Sequence, residues 1–186
     1  MRSSRINPWS AVAAAVALAY PFLVWTGLAT IPPAAFVLVG IGCIGVRIAG
    51  TRRLARSPHE MIVFPLAAIL LVALLAMSPA IAARAYPVAI SLAMAAIFAA
   101  SLRHSPTIVE RIARLSEPDL PPEGVAYARQ VTRVWVGFLL TNAAISLWTA
   151  IWGSLDQWAL WNGMLSYLAM GALFGGEYLV RRMVRP

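Results

Sequence analysis

The chain has 186 residues, of which 61% are hydrophobic and 12% charged, and its mean hydropathy is +0.77. Soluble domains carry about 25% charged residues, so this composition argues against a water-soluble domain and favours a membrane protein. The net charge of +8 comes from 15 arginines with no lysine. These arginines stand at the ends of apolar blocks, which argues against a nucleic-acid-binding helix.

Six apolar blocks follow one another along the chain, most of them long enough to cross a hydrocarbon core of about 30 Å. The first block follows a short basic stretch and resembles a signal peptide, but its length of about 20 apolar residues favours an uncleaved helix. We therefore predict an all-α fold: one integral-membrane domain, 1–186, with six transmembrane helices in three hairpins. The predicted spans are 9–28, 34–48, 61–77, 86–102, 134–152 and 158–180, and a polar segment, 103–133, separates the fourth from the fifth.

The arginines are divided unequally between the two sides that these spans define. Both termini, the second loop and the fourth loop share every arginine except Arg84, which falls in the third loop. Arginine-rich loops remain in the cytoplasm, so both termini are predicted to be cytoplasmic. The same arginines would face the anionic lipids of the inner leaflet.

Within the polar segment, Pro106–Leu115 is predicted to be a short amphipathic helix, with a capping box formed by Thr107 and Glu110. Its apolar residues share one face, and Glu110 is expected to point away from it together with the arginines. One interpretation is an anchor lying in the inner headgroup layer, and the other is a docking site for a cytoplasmic protein. That docking face would consist of Ile108, Ile112, Leu115, Arg111 and Arg114.

The following stretch, Ser116–Gly124, has three prolines and three acids. This proline density predicts an extended, solvated linker. Its acids, Glu117, Asp119 and Glu123, have no helical face to fix them and are interpreted as a solvated acidic loop.

Several polar residues fall within or beside the last two spans. Glu177 is followed by Arg181 at i+4, which favours an ion pair near the cytoplasmic end over a proton or substrate relay. Amide and hydroxyl groups in lipid need partners, so Asn142, Ser146, Asn162 and Ser166 are expected to face other helices. The outer turn Gly153–Gln157 contains Asp156. The tryptophans that flank it, Trp148, Trp152, Trp158 and Trp161, are interpreted as an aromatic belt.

Gly171 and Gly175 form a GxxxG motif on the last span, which predicts close helix packing and leaves a homodimer open. The two histidines, His59 and His104, have no second ligand at helical spacing, so no metal site is expected. No nucleophile, phosphate-binding or dinucleotide-binding motif occurs. We therefore predict neither a cofactor nor an enzymatic activity.

The second half of the chain contains a series of residues that together resemble one protein family. They are Pro106, Ile108, Glu110-Arg111, Leu120-Pro121, Trp135, Phe138-Leu139-Leu140 and the turn Ser154–Trp158. In these positions the chain resembles the bacterial intracellular septation protein A family, and also its uncharacterised relatives found near aryl polyene lipid biosynthesis genes. Where that family tends to carry a lysine, this chain has Asn162.

The resemblance implies a bacterial inner-membrane protein with a role in envelope integrity, septation or lipid homeostasis. It also implies partners among inner-membrane or division proteins, and no established enzymatic activity. The alternative is a transporter or flippase component for a lipid or polyene intermediate. In that case Glu177, Asn142 and Asn162 would line a polar path.

Overall fold

The computed structural model of the protein describes residues 58–184 and nine isolated positions between 19 and 42. The first two predicted spans, 9–28 and 34–48, therefore lie outside the described residues except at those positions. The described part is helical and contains no strand, which confirms the predicted all-α class.

The helices of the continuous part are connected by short turns. The last three elements follow one another without a gap, so residues 155–184 form one helical stretch with a π-helical turn inside it. The elements are α1 (Pro58–Met77), α2 (Pro79–Ser101), α3 (Ile108–Ser116), α4 (Pro122–Ile151), α5 (Leu155–Leu160), the π-helical turn (Trp161–Leu165) and α6 (Ser166–Val184).

Two segments are long and apolar enough to cross a membrane: Ile81–Ser101 in α2, and α4 over its full length. This property suggests membrane association. Large apolar side chains such as Ile69, Leu140 and Leu168 are exposed on the outside of the helices. Such apolar surfaces are rare on soluble monomers and are typical of lipid- or protein-facing sides.

Helix α2 lies at the centre of the described structure. It follows α1 after one extended residue, Ser78, and packs against both α1 and α4. Its buried face is rich in alanine, including Ala82, Ala83 and Ala93. Small side chains allow the backbones of neighbouring helices to approach closely, which explains the tight packing around α2.

An aromatic cluster joins three helices toward the other end of α2. The ring of Trp135 on α4 lies 6.3 Å from that of Phe98 on α2 and 4.5 Å from that of Phe174 on α6. These separations are within the range in which aromatic pairs attract each other. Trp135 therefore connects α6 to α4 and α4 to α2 through its ring contacts.

The structure corrects three predicted boundaries. Helix α2 begins at Pro79, not near residue 86, so Arg84 lies within a helix and not in a loop. Helix α4 begins at Pro122, not near residue 134, so the predicted linker is non-helical only from 117 to 121, and Glu123 lies in the first helical turn. The physical reason is that proline is well tolerated at the first position of a helix. Likewise, the predicted turn Gly153–Gln157 ends at Ser154, where a capping box with Gln157 begins α5.

Candidate functional site

A buried set of polar side chains joins α2, α4 and the π-helical turn. Asn142 on α4 donates from Nδ2 to Ser91 Oγ on α2, at 3.0 Å. Its Oδ1 accepts a bond of 3.2 Å from Trp161 Nε1 in the π-helical turn. One amide therefore connects three helical elements.

A second asparagine, Asn162 in the π-helical turn, bonds to α4 at Ser146, one turn beyond Asn142. Ser146 Oγ donates to Asn162 Oδ1 at 2.7 Å, and Asn162 Nδ2 donates to the carbonyl oxygen of Trp158 at 2.9 Å. Ser166 Oγ in turn donates to the carbonyl oxygen of Asn162, at 3.4 Å. We call Ser91, Asn142, Ser146, Trp161 and Asn162 the asparagine network.

The π-helical turn explains how two consecutive residues reach α4 together. Trp161 bonds to Asn142 and Asn162 bonds to Ser146, although neighbouring side chains on a regular helix point about 100° apart. A π-helical turn inserts an extra residue into the helix and shifts the facing of its side chains. Such turns occur often at functional sites.

Each side chain of the asparagine network has a hydrogen-bond partner. Its serine and asparagine side chains are all buried, and Trp161 is half-buried. Among the described residues, Arg84 Nε is the one buried side-chain polar atom without a hydrogen-bond partner. Both the amide oxygen and the amide nitrogen of Asn142 and Asn162 thus have partners. Chemically, the network fixes the helices in register, through one bond from each amide nitrogen and one bond to each amide oxygen.

The turn between α4 and α5 forms the end of the bundle beside this network. Trp158 is completely buried and donates from Nε1 to the carbonyl oxygen of Arg84 at 3.2 Å. Its predicted place in an aromatic belt is therefore wrong, because the indole lies in the protein core. Asp156 is exposed and accepts a bond of 2.6 Å from Trp25 Nε1. This bond joins the start of α5 to a described residue of the first apolar block.

A second polar cluster lies at the start of α3. The capping box predicted for Thr107 and Glu110 is confirmed: Thr107 N–H donates to Glu110 Oε2 and Glu110 N–H donates to Thr107 Oγ1, at 3.2 and 3.3 Å. Ser105 Oγ donates to the same carboxylate, and Arg114 donates from Nε and Nη2 to its other oxygen at 3.0 and 2.9 Å. We call these residues the Glu110 cluster.

The Glu110 side chain is only 2% exposed, so the prediction that it points outward is wrong. The capping box draws the carboxylate back over the start of α3, where the turn before the helix covers it. Burial alone would raise the pKa of Glu110. The hydrogen bonds from Arg114, Thr107 and Ser105 and the charge of Arg114 outweigh burial, and the pKa is lowered overall.

In the structure, the residues of the predicted docking face lie in different environments. Ile108 packs partly against the hydrophobic core, and its N–H donates to Ser101 Oγ at the end of α2. Ile112 and Leu115 instead are 60% and 82% exposed. Of the two arginines, Arg111 is exposed and donates from Nε to the carbonyl oxygen of Pro106, and Arg114 is held by Glu110 and by the carbonyl oxygen of Pro118.

Glu177 lies apart from the asparagine network. Its Oε1 is 3.6 Å from Arg181 Nε, the pairing expected from their spacing, and its carbonyl oxygen accepts from Tyr127 on α4. Asn162 precedes it by about four helical turns, a rise of about 22 Å. The structure therefore brings Asn142 and Asn162 together and does not bring Glu177 to them.

Gly171 and Gly175 are exposed, and a Cβ added to either would meet no atom within 4 Å. The predicted GxxxG packing is therefore not made to any described residue. In residues 58–184, no three histidine, cysteine or acidic side chains cluster closely enough to hold a metal ion.

Ser91, Arg84 and the polar role of Trp161 were not predicted from the sequence. Ser91 is one hydroxyl in an apolar run, and only its partner on α4 reveals it. The chain was also compared with known proteins: no family model, no curated protein and no solved structure matches it. The likeness to the septation protein A family remains a prediction from the residues quoted above.

Proposed function

We propose that this chain is a multi-span protein of the bacterial inner membrane that acts in envelope integrity, septation or lipid homeostasis without catalysis. Support for membrane insertion comes from α2 and α4, which are long and apolar enough to span a bilayer. The concentration of arginines in the termini and in the second and fourth loops supports an arrangement with six spans and both ends in the cytoplasm.

The observation that carries the non-catalytic part of the proposal is the asparagine network. Amide and hydroxyl side chains that bond to one another across helices are a common packing device of membrane proteins. Here the amides of Asn142 and Asn162 are already paired with Ser91, Trp161, Ser146 and the backbone. Such a network serves to hold α2, α4 and the π-helical turn in one arrangement.

We further propose that α3 rests in the inner headgroup layer. Ile112 and Leu115 are exposed on it, and Arg111, which directly precedes Ile112, is also exposed. Exposed apolar side chains beside a cation suit an anionic lipid surface. The bond from Ile108 to Ser101 fixes α3 to the end of α2, and the Glu110 cluster fixes the first turn of α3. The exposed side of α3 therefore has a fixed orientation relative to α2.

The topology is tested with reporters fused after Gly153 and after Glu117. The proposal requires a periplasmic reading at the first position and a cytoplasmic reading at the second. Because both positions are in turns of the same half of the chain, the second fusion is a matched control for expression. A cytoplasmic reading at Gly153 would remove the six-span arrangement.

The envelope role is tested in a deletion strain, scored for cell length, detergent sensitivity and lipid composition. Ile112→Asp combined with Leu115→Asp should fail to restore the wild-type phenotype at normal protein level, because the charges oppose insertion among lipids. Ser116→Asp, an exposed change at the end of the same helix, is the control and should complement. Full complementation by the double variant would reject the role of α3.

The alternative function is a transporter or flippase component. The observation that favours it is the π-helical turn inside the last helical stretch, next to buried asparagines, since π-helical turns often mark functional sites. If polar groups conduct a lipid headgroup, Glu177→Gln and Asn162→Ala should each abolish lipid movement at unchanged protein level. Normal lipid composition in both variants would remove this function.

A further inference from the structure

Arg84 on α2 has unusual surroundings for a guanidinium group. Its Nη1 makes one long hydrogen bond, 3.5 Å, to the carbonyl oxygen of Gly153. Its Nε is buried and has no hydrogen-bond partner among the described residues. A guanidinium has five N–H donors, so most of them are not used by the described part of the protein. A partly buried cation in this condition requires an anion.

No acidic side chain of the described residues supplies that anion. The ion pairs there are Arg114 with Glu110 and Arg181 with Glu177. Asp156 is the acid at the same end of the bundle as Arg84, and its carboxylate accepts a short bond from Trp25. The counter-charge for Arg84 is therefore expected from outside the described residues.

The position of Arg84 indicates which anion is available. Gly153, its hydrogen-bond partner among the described residues, follows the end of α4, where Trp148 and Trp152 are 53% and 70% exposed. Exposed tryptophans gather at the level of lipid headgroups. Lipid phosphates lie at that level, and the planar fork of arginine matches phosphate oxygens in two-point contact.

We propose that Arg84 binds the phosphate of an anionic phospholipid in the outer leaflet, with the Gly153 carbonyl orienting the guanidinium. This inference rests on the membrane placement proposed above. The other explanation is that Arg84 serves only to neutralise the carbonyl end of α4, as cations near helix C-termini do. The two explanations differ in whether lipid capture near Gly153 depends on Arg84.

The experiment places a photo-crosslinking amino acid, p-benzoylphenylalanine, at Trp152 in the full chain. The protein is reconstituted in nanodiscs with equal amounts of phosphatidylglycerol and phosphatidylcholine, and the captured lipids are identified by mass spectrometry. Phosphatidylglycerol should be enriched about fivefold over its share in the nanodisc. Arg84→Gln should return the captured lipids to the nanodisc ratio, and Arg84→Lys should retain part of the enrichment.

The same label at Leu115 is the matched control, because lipids captured there should not respond to Arg84→Gln. Unchanged enrichment at Trp152 in Arg84→Gln would overturn the proposal and leave Arg84 as a cap for α4. If Arg84→Gln does not fold, the test uses the protein labelled at Trp152 with Arg84 unchanged. Equal capture of the two lipids by that protein would then overturn the proposal.

Two further outcomes are distinguished by the same samples. Loss of enrichment on adding millimolar inorganic phosphate would overturn the lipid assignment in favour of a soluble oxyanion. Absence of captured lipid at both labels would overturn the membrane placement itself. Unselective capture of lipid at Trp152 is a different outcome, which would overturn only the role of Arg84.

Discussion

Ser146 on α4 donates a hydrogen bond of 2.7 Å to Asn162, in the one segment of the last helical stretch that is π-helical. The polar contact and the helix distortion therefore occur at the same place. Apolar side chains in lipid pack with little directional preference, whereas a hydrogen bond has a fixed geometry. The register between α4 and the last helical stretch is accordingly set by this pair and by the neighbouring bond from Trp161 to Asn142.

We predict that Asn142→Ala destabilises the fold by about 1–3 kcal/mol, because a buried and a partly buried hydrogen bond are lost together. Ser91 Oγ loses its donor and Trp161 Nε1 loses its acceptor. The measurement is reversible unfolding in mixed micelles by added denaturing detergent. Thr141→Ala, an exposed change one residue earlier on the same helix, is the control and should leave the midpoint unchanged. Equal midpoints for both variants would contradict the prediction.

The Glu110 cluster predicts a loss of order in α3 at acid pH. The folded pKa of Glu110 lies below its ordinary value of 4.5, so its ionised form stabilises the folded state. This contribution is present above pH 4.5 and is lost as the pH falls through the lowered folded pKa. Hydrogen exchange of the α3 amides, corrected for intrinsic rate, should therefore accelerate on acidification below that value.

Glu110→Gln is the matched variant for this titration, since it keeps the shape of the side chain and removes its proton equilibrium. The α3 amides of this variant should exchange faster than wild type at neutral pH and show no corresponding pH step. Glu117→Gln, an exposed change just after the helix, should keep the wild-type profile. A pH step that persists in Glu110→Gln would assign the titration to another group.

Gly153→Ala should be destabilising by about 1–3 kcal/mol, because the added methyl group meets backbone that cannot move aside. Its Cβ would lie 2.7 Å from the carbonyl oxygen of Thr149 and 2.9 Å from the Cα of the same residue. Gly137→Ala on α4 is the control, since nothing lies within 4 Å of its added Cβ. Thermal unfolding of both variants checks this, and similar melting temperatures would refute the close approach.

Gly171→Ala and Gly175→Ala should each change the free energy of unfolding of the isolated protomer by less than about 1 kcal/mol, which is the effect of helix propensity alone. Their added methyl groups meet no atom within 4 Å. The test is unfolding at high detergent-to-protein ratio, where protomers are separated. A large loss in either variant would place another helix of the same chain against this face.

The sequence was sufficient to predict the helical class, the hairpin of the third and fourth apolar blocks, and the capping box at Thr107. These features depend on local patterns: apolar runs, prolines and the spacing of a threonine and a glutamate. Boundaries were less well predicted. Pro122 was interpreted as a helix breaker, although it begins α4. Ser154 and Gln157 have the spacing of a capping box, but they were assigned to a turn and not to the start of a helix.

The burial of particular side chains could not be derived from spacing. Trp158 and Glu110 both carry polar groups that are ordinarily placed at a surface, and each is buried with a hydrogen-bond partner, local for Glu110 and distant for Trp158. For Trp158 that partner is the Arg84 carbonyl oxygen, 74 positions away in the sequence. Asn142 and Asn162 were expected to face other helices, but their exact partners follow only from the three-dimensional arrangement.

Helix α4 has 30 residues and no proline after its first position, so it extends for about 45 Å as one stiff rod. It carries Asn142 in one half. In the other half, Arg129 donates from Nη2 to the carbonyl oxygen of Leu102, just before the turn that leads to α3. A rotation of α4 that rearranges its amide partners would thus be transmitted mechanically to the turn that supports α3, with no hinge in between to absorb it.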